Sequence, residues 1–510
     1  VSEVGPEPGD ARSNQDLTQA AAAGLRWVAY ARIVVEVVLF GSLVWLAHLI
    51  PPSAFGLFAV VVIVQELSLR LPFEGIGGAL VQRKGVEHRH FQAGLALNIV
   101  VALVLMALTA AIAYLAVRPA LGHEAMLLMF AVLPSYLLGA FYAISTATLR
   151  RDLDFRRLSM LDLVLNTVRS MLSLVLALIG LNASALVFGS VGGFAVAVAL
   201  GLLFAPVPMP RWNGAAIRDL LPYGAPAGLA TFAWTGFRNG DYAVIGAVLG
   251  AAPAGLYWRA YQLAVEYQGK VGDAMAQIAF PVLARTTGMK EMHELRQRMV
   301  QLLAVMVFPL LAALLVLAPL VIPWMFGAEW ADSVRPTQIL VFGGAATLAL
   351  NAAGSALMAS GRARALLGFG IAHFIVYVGT VVVVAHLGLV AVAIAGSAIH
   401  LLFVGVGYEV LLRGQERRPL MVMVRDFAPA TVSAIGFAVA AVPLDRLLES
   451  AGAPVPLIML AVGVVGGIVY VAVLRIAFPA AARDLGAVAR RLLPSRFIPR
   501  RFGRLVPAGS

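Results

Sequence analysis

The chain contains no cysteine, which excludes disulfide staples, thiol nucleophiles and thiolate metal ligands. Charge is scarce: Asp, Glu, Lys and Arg make up 13% of 510 residues. Lysine is scarcer still, with Lys84, Lys270 and Lys290 the only three. No GxxxxGK[ST] phosphate loop occurs, so ATP hydrolysis by this chain is not supported. Neither HExxH nor an acidic metal loop is present, and no metal site is expected. His88 and His90 read as solvated loop residues rather than ligands. The short alternating segments of a transmembrane barrel are missing too. Residues 1–20 are polar and rather acidic, which predicts no secretory signal peptide there.

What remains is apolar. Hydrophobic residues make up 61% of the chain and the mean hydropathy is +0.89. Repeated apolar runs of about 20 residues predict an all-α polytopic membrane protein. About fourteen spans are expected, near 24–50, 55–80, 91–116, 124–148, 158–179, 184–207, 219–249, 254–284, 299–326, 334–358, 365–386, 388–412, 426–445 and 455–478. The net charge of +12 does not read as nucleic-acid binding, because the basic residues fall in short loops. One side carries Arg83, Lys84 and Arg89; Arg150, Arg151, Arg156 and Arg157; Arg211 and Arg218; Arg285, Lys290, Arg296 and Arg298; Arg362 and Arg364; and Arg413, Arg417, Arg418 and Arg425. The other side has Arg118, Arg446 and little else. This asymmetry predicts that the first side, with both termini, is cytoplasmic.

A weak repeat runs through the chain. SAFGLF (53–58) corresponds to APAGLY (252–257), and ALVQR (79–83) to PVLAR (281–285), at an offset of about 200 residues or six helices. An even-numbered repeat keeps its orientation, so two six-helix halves related by a pseudo-twofold axis normal to the membrane are expected. The expected organisation is a tail at 1–23, lobes at 24–207 and 208–425, a helix pair at 426–478 and a basic tail at 479–510. That tail either lies on anionic lipid or is a disordered basic extension.

Intramembrane charge is concentrated in the first hairpin of each half. The first two spans carry Arg26, Arg32 and Glu36, then Glu66, Arg70 and Glu74; the seventh and eighth carry Arg238 and Asp241, then Arg259, Glu266, Lys270 and Asp273. The fifth adds Asp162, Asn166 and Arg169, and the eleventh and twelfth offer His373 and His400. Each such residue costs a few kcal/mol or more against lipid, so a hydrated cavity between the halves is the economical explanation. Gln262, Glu266, Lys270, Asp273 and Gln277 fall at helical spacing and predict one wall of it. Cations at successive depths suit a migrating polyanion such as pyrophosphate, which the arginine fork matches. Arg32–Glu36, Glu66–Arg70 and Glu266–Lys270 also sit four apart and can neutralise one another within their helices. Pro72, Pro222 and Pro226 predict kinks.

Several stretches together resemble the Wzx-type polysaccharide flippases, in the colanic-acid and teichuronic-acid exporter branch of the MOP superfamily. They are RNGDYAVIGAVLGAAPAGLYWRAYQLA (238–264), GIGGALVQRK (75–84), LRRDLDFRRL (149–158), IAFPVLAR (278–285), FGAEW (326–330) and ASGRAR (359–364). The resemblance implies translocation of an undecaprenyl-pyrophosphate-linked oligosaccharide from the cytoplasmic to the outer leaflet of the plasma membrane. By likeness to lipid II flippases, it implies pyrophosphate contacts from Arg26, Arg32 and Arg259 and a lipid-tail groove at helices 13 and 14. Arg70, Arg238 and Lys270 join this basic set from the charge pattern. Glu36, Glu66, Glu74, Asp241, Glu266 and Asp273 form the coupling or gating set, with Glu66, Glu266 and Asp273 as candidate proton or cation carriers. No cofactor is expected; a proton or sodium gradient, or the membrane potential, supplies the drive. A monomer is expected, with membrane lipids and a polysaccharide polymerase as partners.

Two rival classes fit the sequence less well. A drug or cation exporter of the same superfamily favours a net acidic cavity, whereas the set here, with Arg169 and Asp162 included, balances seven basic against seven acidic residues. A membrane polymerase or ligase carries a large outer loop, and the outer loops here are short.

Overall fold

A computed structural model describes residues 34–70, 75–269, 289–359, 363–412 and 418–492. Among these residues the chain is helical and contains no strand, as the apolar runs predict. The helices are α1 (Val34–Leu49), α2 (Pro52–Arg70), α3 (Gly78–Gln82), α4 (His88–Ile112), α5 (Arg118–Ala131), α6 (Pro134–Arg151), α7 (Phe155–Leu178), α8 (Ala183–Phe204) and α9 (Gly214–Leu249). They continue as α10 (Ala251–Tyr261), α11 (Met289–Phe326), α12 (Val334–Ala359), α13 (Ala363–Val384), α14 (Leu389–Leu412), α15 (Pro419–Ser450), α16 (Val455–Ala477) and α17 (Pro479–Leu492). Nine stretches among the described residues are long and apolar enough to cross a membrane. One of them, residues 88–151, holds both the third and fourth expected spans. The first, second and eighth expected spans run into undescribed residues, so fourteen stays an expectation.

The helix ends obey their sequences. Asp154 accepts from the Arg157 N–H at 3.0 Å to start α7, and Asn213 accepts from Ala215 and Ala216 to start α9, the side-chain caps that free N–H groups require. Pro134, Pro419 and Pro479 open α6, α15 and α17, where the missing N–H costs nothing. Gly250, at φ 92°, turns the chain between α9 and α10. Helix α9 runs on through Pro222 and Pro226.

Two compact units divide the chain, one up to Trp258 and one from Arg259 on. In the first, α7 lies close against α8. A side chain at Gly193 would meet the backbone of Arg169 and Leu165, so the contact needs a small residue there. Helix α9 heads the second repeat by sequence, yet it packs along α2 and α4 in this first unit. Val60 lies against Gly246, and Gly75 against Gly224 and Gly228. The two helices are therefore antiparallel, and Glu66 and Arg70 share a depth with Arg238 and Asp241.

The repeat motif acquires a structural meaning in the same unit. A Cβ on Gly56 would strike the carbonyl of Ala251, and a Cβ on Gly255 would strike the carbonyl of Pro52. The contact is reciprocal, residue for repeat-equivalent residue, as a two-fold-related pair requires. Trp258 seals it by stacking on Phe55 at 5.8 Å and meeting Phe58 edge-on at 6.1 Å.

The loop ends of this unit are clamped rather than solvated. His90 is 1% exposed, which corrects the expectation of a solvated loop histidine. Its Nδ1 accepts from the Glu87 N–H at 3.0 Å, and its Nε2 lies 3.3 Å from Asp219 Oδ2. Arg83 meets the same oxygen at 3.1 Å, so α4 and α9 are tied to the end of α3. Arg151 donates to the carbonyls of Leu80 and Arg83.

In the second unit, α12 packs on α14, and α11 packs on α15 and α16. The α11–α15–α16 core holds Ala304, Phe437, Val462 and Tyr470, with the Tyr470 hydroxyl donating to the Val305 carbonyl at 3.0 Å. The first part of the basic tail is a helix: α17 lies against α11 and α16, with Ala481 buried and Leu485 packed on the same core.

Candidate translocation site

Arg259 sits in the eighth expected span, where the sequence is WRAYQLAVE. Its side chain is fully buried. The guanidinium carbon lies 4.5 Å from the Phe326 ring centroid and 4.6 Å from that of Trp330. Nη1 donates to Gln262 Oε1 at 3.2 Å. Two stretches that carry the family resemblance, WRAYQLA and FGAEW, therefore meet here. FGAEW supplies both rings, from the end of α11 and from the 3₁₀ turn Ala328–Ser333. Rings on two sides stabilise a desolvated guanidinium by about 2 kcal/mol each.

Directly after Arg259 the helix widens. Residues Gln262–Glu266 form a π turn, in which hydrogen bonds span five residues instead of four. The regular spacing that places Gln262 and Glu266 on one line is broken here. Gly344 on α12 accounts for the fit, because a Cβ at that position would strike the Ala264 carbonyl. Gln268, also buried, donates from Nε2 to the Leu263 carbonyl at 3.3 Å and braces the turn.

The other expected site residues are dispersed. Glu36 on α1 and Glu266 are half-buried, Glu66 on α2 is exposed, and Asp241 on α9 is fully buried. Asp241 Oδ1 accepts from the Tyr242 N–H at 3.0 Å, and Tyr242 meets Tyr257 edge-on. Arg70 and Arg238 lie on α2 and α9, and their side chains are outside the description. Arg26, Arg32, Glu74, Lys270 and Asp273 lie outside the described residues. Arg169 on α7 reaches α2, with its guanidinium 5.6 Å from the Phe58 ring centroid.

Two polar clusters lie outside the expected binding and coupling sets. In the first, Arg296 on α11 donates from Nη1 to Asp426 Oδ2 on α15 at 2.7 Å, and the Tyr408 hydroxyl on α14 donates to the same oxygen at 2.7 Å. The Arg296 and Asp426 side chains are 5% and 0% exposed. Arg296 is therefore a buried anchor and not the loop charge that its position among basic residues suggests; its partner is 130 residues away, and no spacing rule links them. The second cluster joins His373 and His400, with ring centroids 5.1 Å apart. Among the described residues no group of three or more His, Cys, Asp or Glu side chains is placed to hold a metal ion.

Helical spans and repeat-related glycines in reciprocal contact define the class: a helical membrane protein of the MOP flippase fold. The chain belongs to the polysaccharide biosynthesis protein family, whose model matches residues 45–335, more than half its length. It is 23% identical to the lipopolysaccharide biosynthesis protein WzxC of Escherichia coli K12 over 78% of this chain and 82% of that protein. It is 25% identical to the teichuronic acid biosynthesis protein TuaB of Bacillus subtilis 168, over 68% of this chain and 73% of that one. Among solved structures, the lipid II flippase MurJ in an inward closed conformation superposes with a TM-score of 0.71 at 13% identity, covering 90% of this chain and 99% of MurJ.

Proposed function

We propose that this protein is a flippase of the bacterial plasma membrane. It carries an undecaprenyl-pyrophosphate-linked oligosaccharide from the inner to the outer leaflet for export of a surface polysaccharide. The observation that carries this reading is the family match over residues 45–335, supported by relatives that act in lipopolysaccharide and teichuronic acid biosynthesis. Movement is by alternating access of the secondary type, driven by a proton or sodium gradient or the membrane potential. Both termini are cytoplasmic, from the loop asymmetry. The basic set Arg26, Arg32, Arg70, Arg238, Arg259 and Lys270 engages pyrophosphate and sugar. Glu36, Glu66, Glu74, Asp241, Glu266 and Asp273 gate or couple. The protein acts as a monomer beside a polymerase, and helices α15 and α16 border the lipid tail.

The test is leaflet exchange in proteoliposomes. Fluorescent undecaprenyl-pyrophosphate oligosaccharide is loaded on one side and its appearance on the other is monitored. Wild-type protein moves it; Arg32→Ala and Lys270→Ala slow movement by roughly a hundredfold, the loss of one charge-assisted contact. Absence of lipid movement beside efflux of a small organic cation would overturn the reading in favour of a drug exporter.

A further inference from the structure

Helix α13 buries one seam and little else. Phe369, His373, Tyr377 and Val381 recur every four residues; the last three are buried, while Phe374, Ile375 and Val376 are exposed. Opposite them on α14, His400 and Phe403 are buried. The His373 and His400 rings meet at 5.1 Å between centroids, tilted by 76°. Tyr377 lies 4.9 Å from His400, and Phe403 stacks on His373 at 4.3 Å. His373 is the eleventh of 22 residues in α13 and His400 the twelfth of 24 in α14. At about 1.5 Å per residue each helix just crosses the hydrocarbon core, so the two imidazoles meet at its midplane.

We propose that His373 and His400 form a proton-binding site at the membrane midplane, one proton per pair, and that its loading couples transport to a proton gradient. The second half rests on the flippase reading; the first does not. Ionisable side chains at this depth are costly and concentrate on ion paths. Imidazole alone changes charge near neutral pH without help. A proton taken from water binds the unprotonated ring nitrogen of one imidazole and returns to water from the same atom. Two imidazolium rings at this separation repel, so the pair holds one proton and not two. The Phe403 face lies where it stabilises a cationic ring.

No other charged group shares this depth among the described residues of the packed helices. Helix α12 carries Arg335 in its first turn. Helix α14 carries Tyr408 and Glu409 two turns further along, with Arg425 and Asp426 of α15 beyond them. His386 lies in the turn after α13. Only the Tyr377 hydroxyl belongs to the ring cluster itself.

Two measurements test it on the full chain in lipid. In nanodiscs with 15N-labelled histidine and no substrate, the two rings should take up one proton per pair, and not two, as the pH is lowered. His373→Gln should change the titration of His400, and the reverse. Rings that stay neutral, or that titrate independently, would overturn the site. In the proteoliposome assay, His373→Gln and His400→Gln should reduce the acceleration by an imposed pH gradient roughly five-fold or more. Gradient-independent movement should persist, and His386→Gln should behave as wild type. An undiminished gradient response in both variants would overturn the coupling role, as would a wild type that moves lipid with no response to the gradient. If the wild type moves no lipid, the flippase reading falls and the titration alone decides the site.

Discussion

Removing the Asp426 carboxylate leaves the Arg296 guanidinium buried beside Tyr408 with its counter-charge gone. Both charged side chains are closed off from surroundings, at 5% and 0% exposure, and the short bond between them is 2.7 Å. Breaking such a pair from one side costs about 3–5 kcal/mol. At about 1.4 kcal/mol per factor of ten, that is a shift of roughly a thousandfold in the unfolding equilibrium. Asp426→Asn keeps an acceptor for the Arg296 N–H and the Tyr408 O–H but loses the charge, and should cost less, about 1.5–3 kcal/mol. The double variant Arg296→Met with Asp426→Leu removes both charges, and should return to within about 1 kcal/mol of wild type. Reversible unfolding in mixed detergent–lipid micelles, read by helical circular dichroism, gives all three values, and with Arg296→Met and Asp426→Leu measured singly it also gives the coupling energy of the cycle.

A cost under about 1 kcal/mol for Asp426→Ala, or a double variant as unstable as the single one, would refute the stranded-charge account. The pair also fastens α15 to α11 and α14. The double variant therefore separates anchoring from function: if stability returns and lipid movement does not, the charges do more than hold helices together.

Particular contacts give three further outcomes. Gly56→Ala and Gly255→Ala should each force α2 and α10 apart at a cost of about 1–3 kcal/mol, and the pair should be far from additive, since both act on one contact; additive losses in the unfolding assay would count against the reciprocal packing. Trp330→Leu should loosen the cage of Arg259 by about 2 kcal/mol, read as roughly ten-fold or greater labelling of Arg259 by phenylglyoxal, and an unchanged labelling rate would argue that no such cage exists. Arg475→Gln with Arg483→Gln, two exposed arginines near the junction of α16 and α17, should weaken retention of anionic lipid by about 1 kcal/mol per charge, measured as bound cardiolipin by native mass spectrometry; equal retention would place the helix away from the headgroups.

The sequence made the helical class readable because nothing but a bilayer explains so many long apolar runs. The repeat was readable too, since SAFGLF and APAGLY share their glycine, and that glycine touches its own counterpart. The partners of the buried charges were not readable. Arg296 and Asp426 are 130 residues apart, so neither helical spacing nor composition joins them. Glu87 and His90 did lie close in sequence and form a capping box; the signal was the three-residue spacing before an apolar run, usually filled by Glu or Gln at its far end. The π turn was hidden for a different reason. Its cause is the close approach of Gly344 from another helix, and a periodicity argument assumes that a helix keeps its pitch.

That local change of pitch alters how the charge pattern of the eighth span works. Read as one α-helix, Gln262, Glu266 and the residues after it form a continuous wall, with Arg259 just before it. In the structure, Arg259 is enclosed by Phe326 and Trp330, while Glu266, beyond the π turn, is only half-buried. A diphosphate cannot reach a fully buried guanidinium, so a ligand contact at Arg259 requires its surroundings to open. The two rings come from the end of α11 and the turn after it, and those are the elements that must move or release the side chain. A π turn adjoining the arginine suits this, because closing it to α geometry removes one residue from the turn and rotates the rest of the helix by about 100°. Under the flippase proposal, Arg259 meets substrate only in a conformation in which Phe326 and Trp330 have released it.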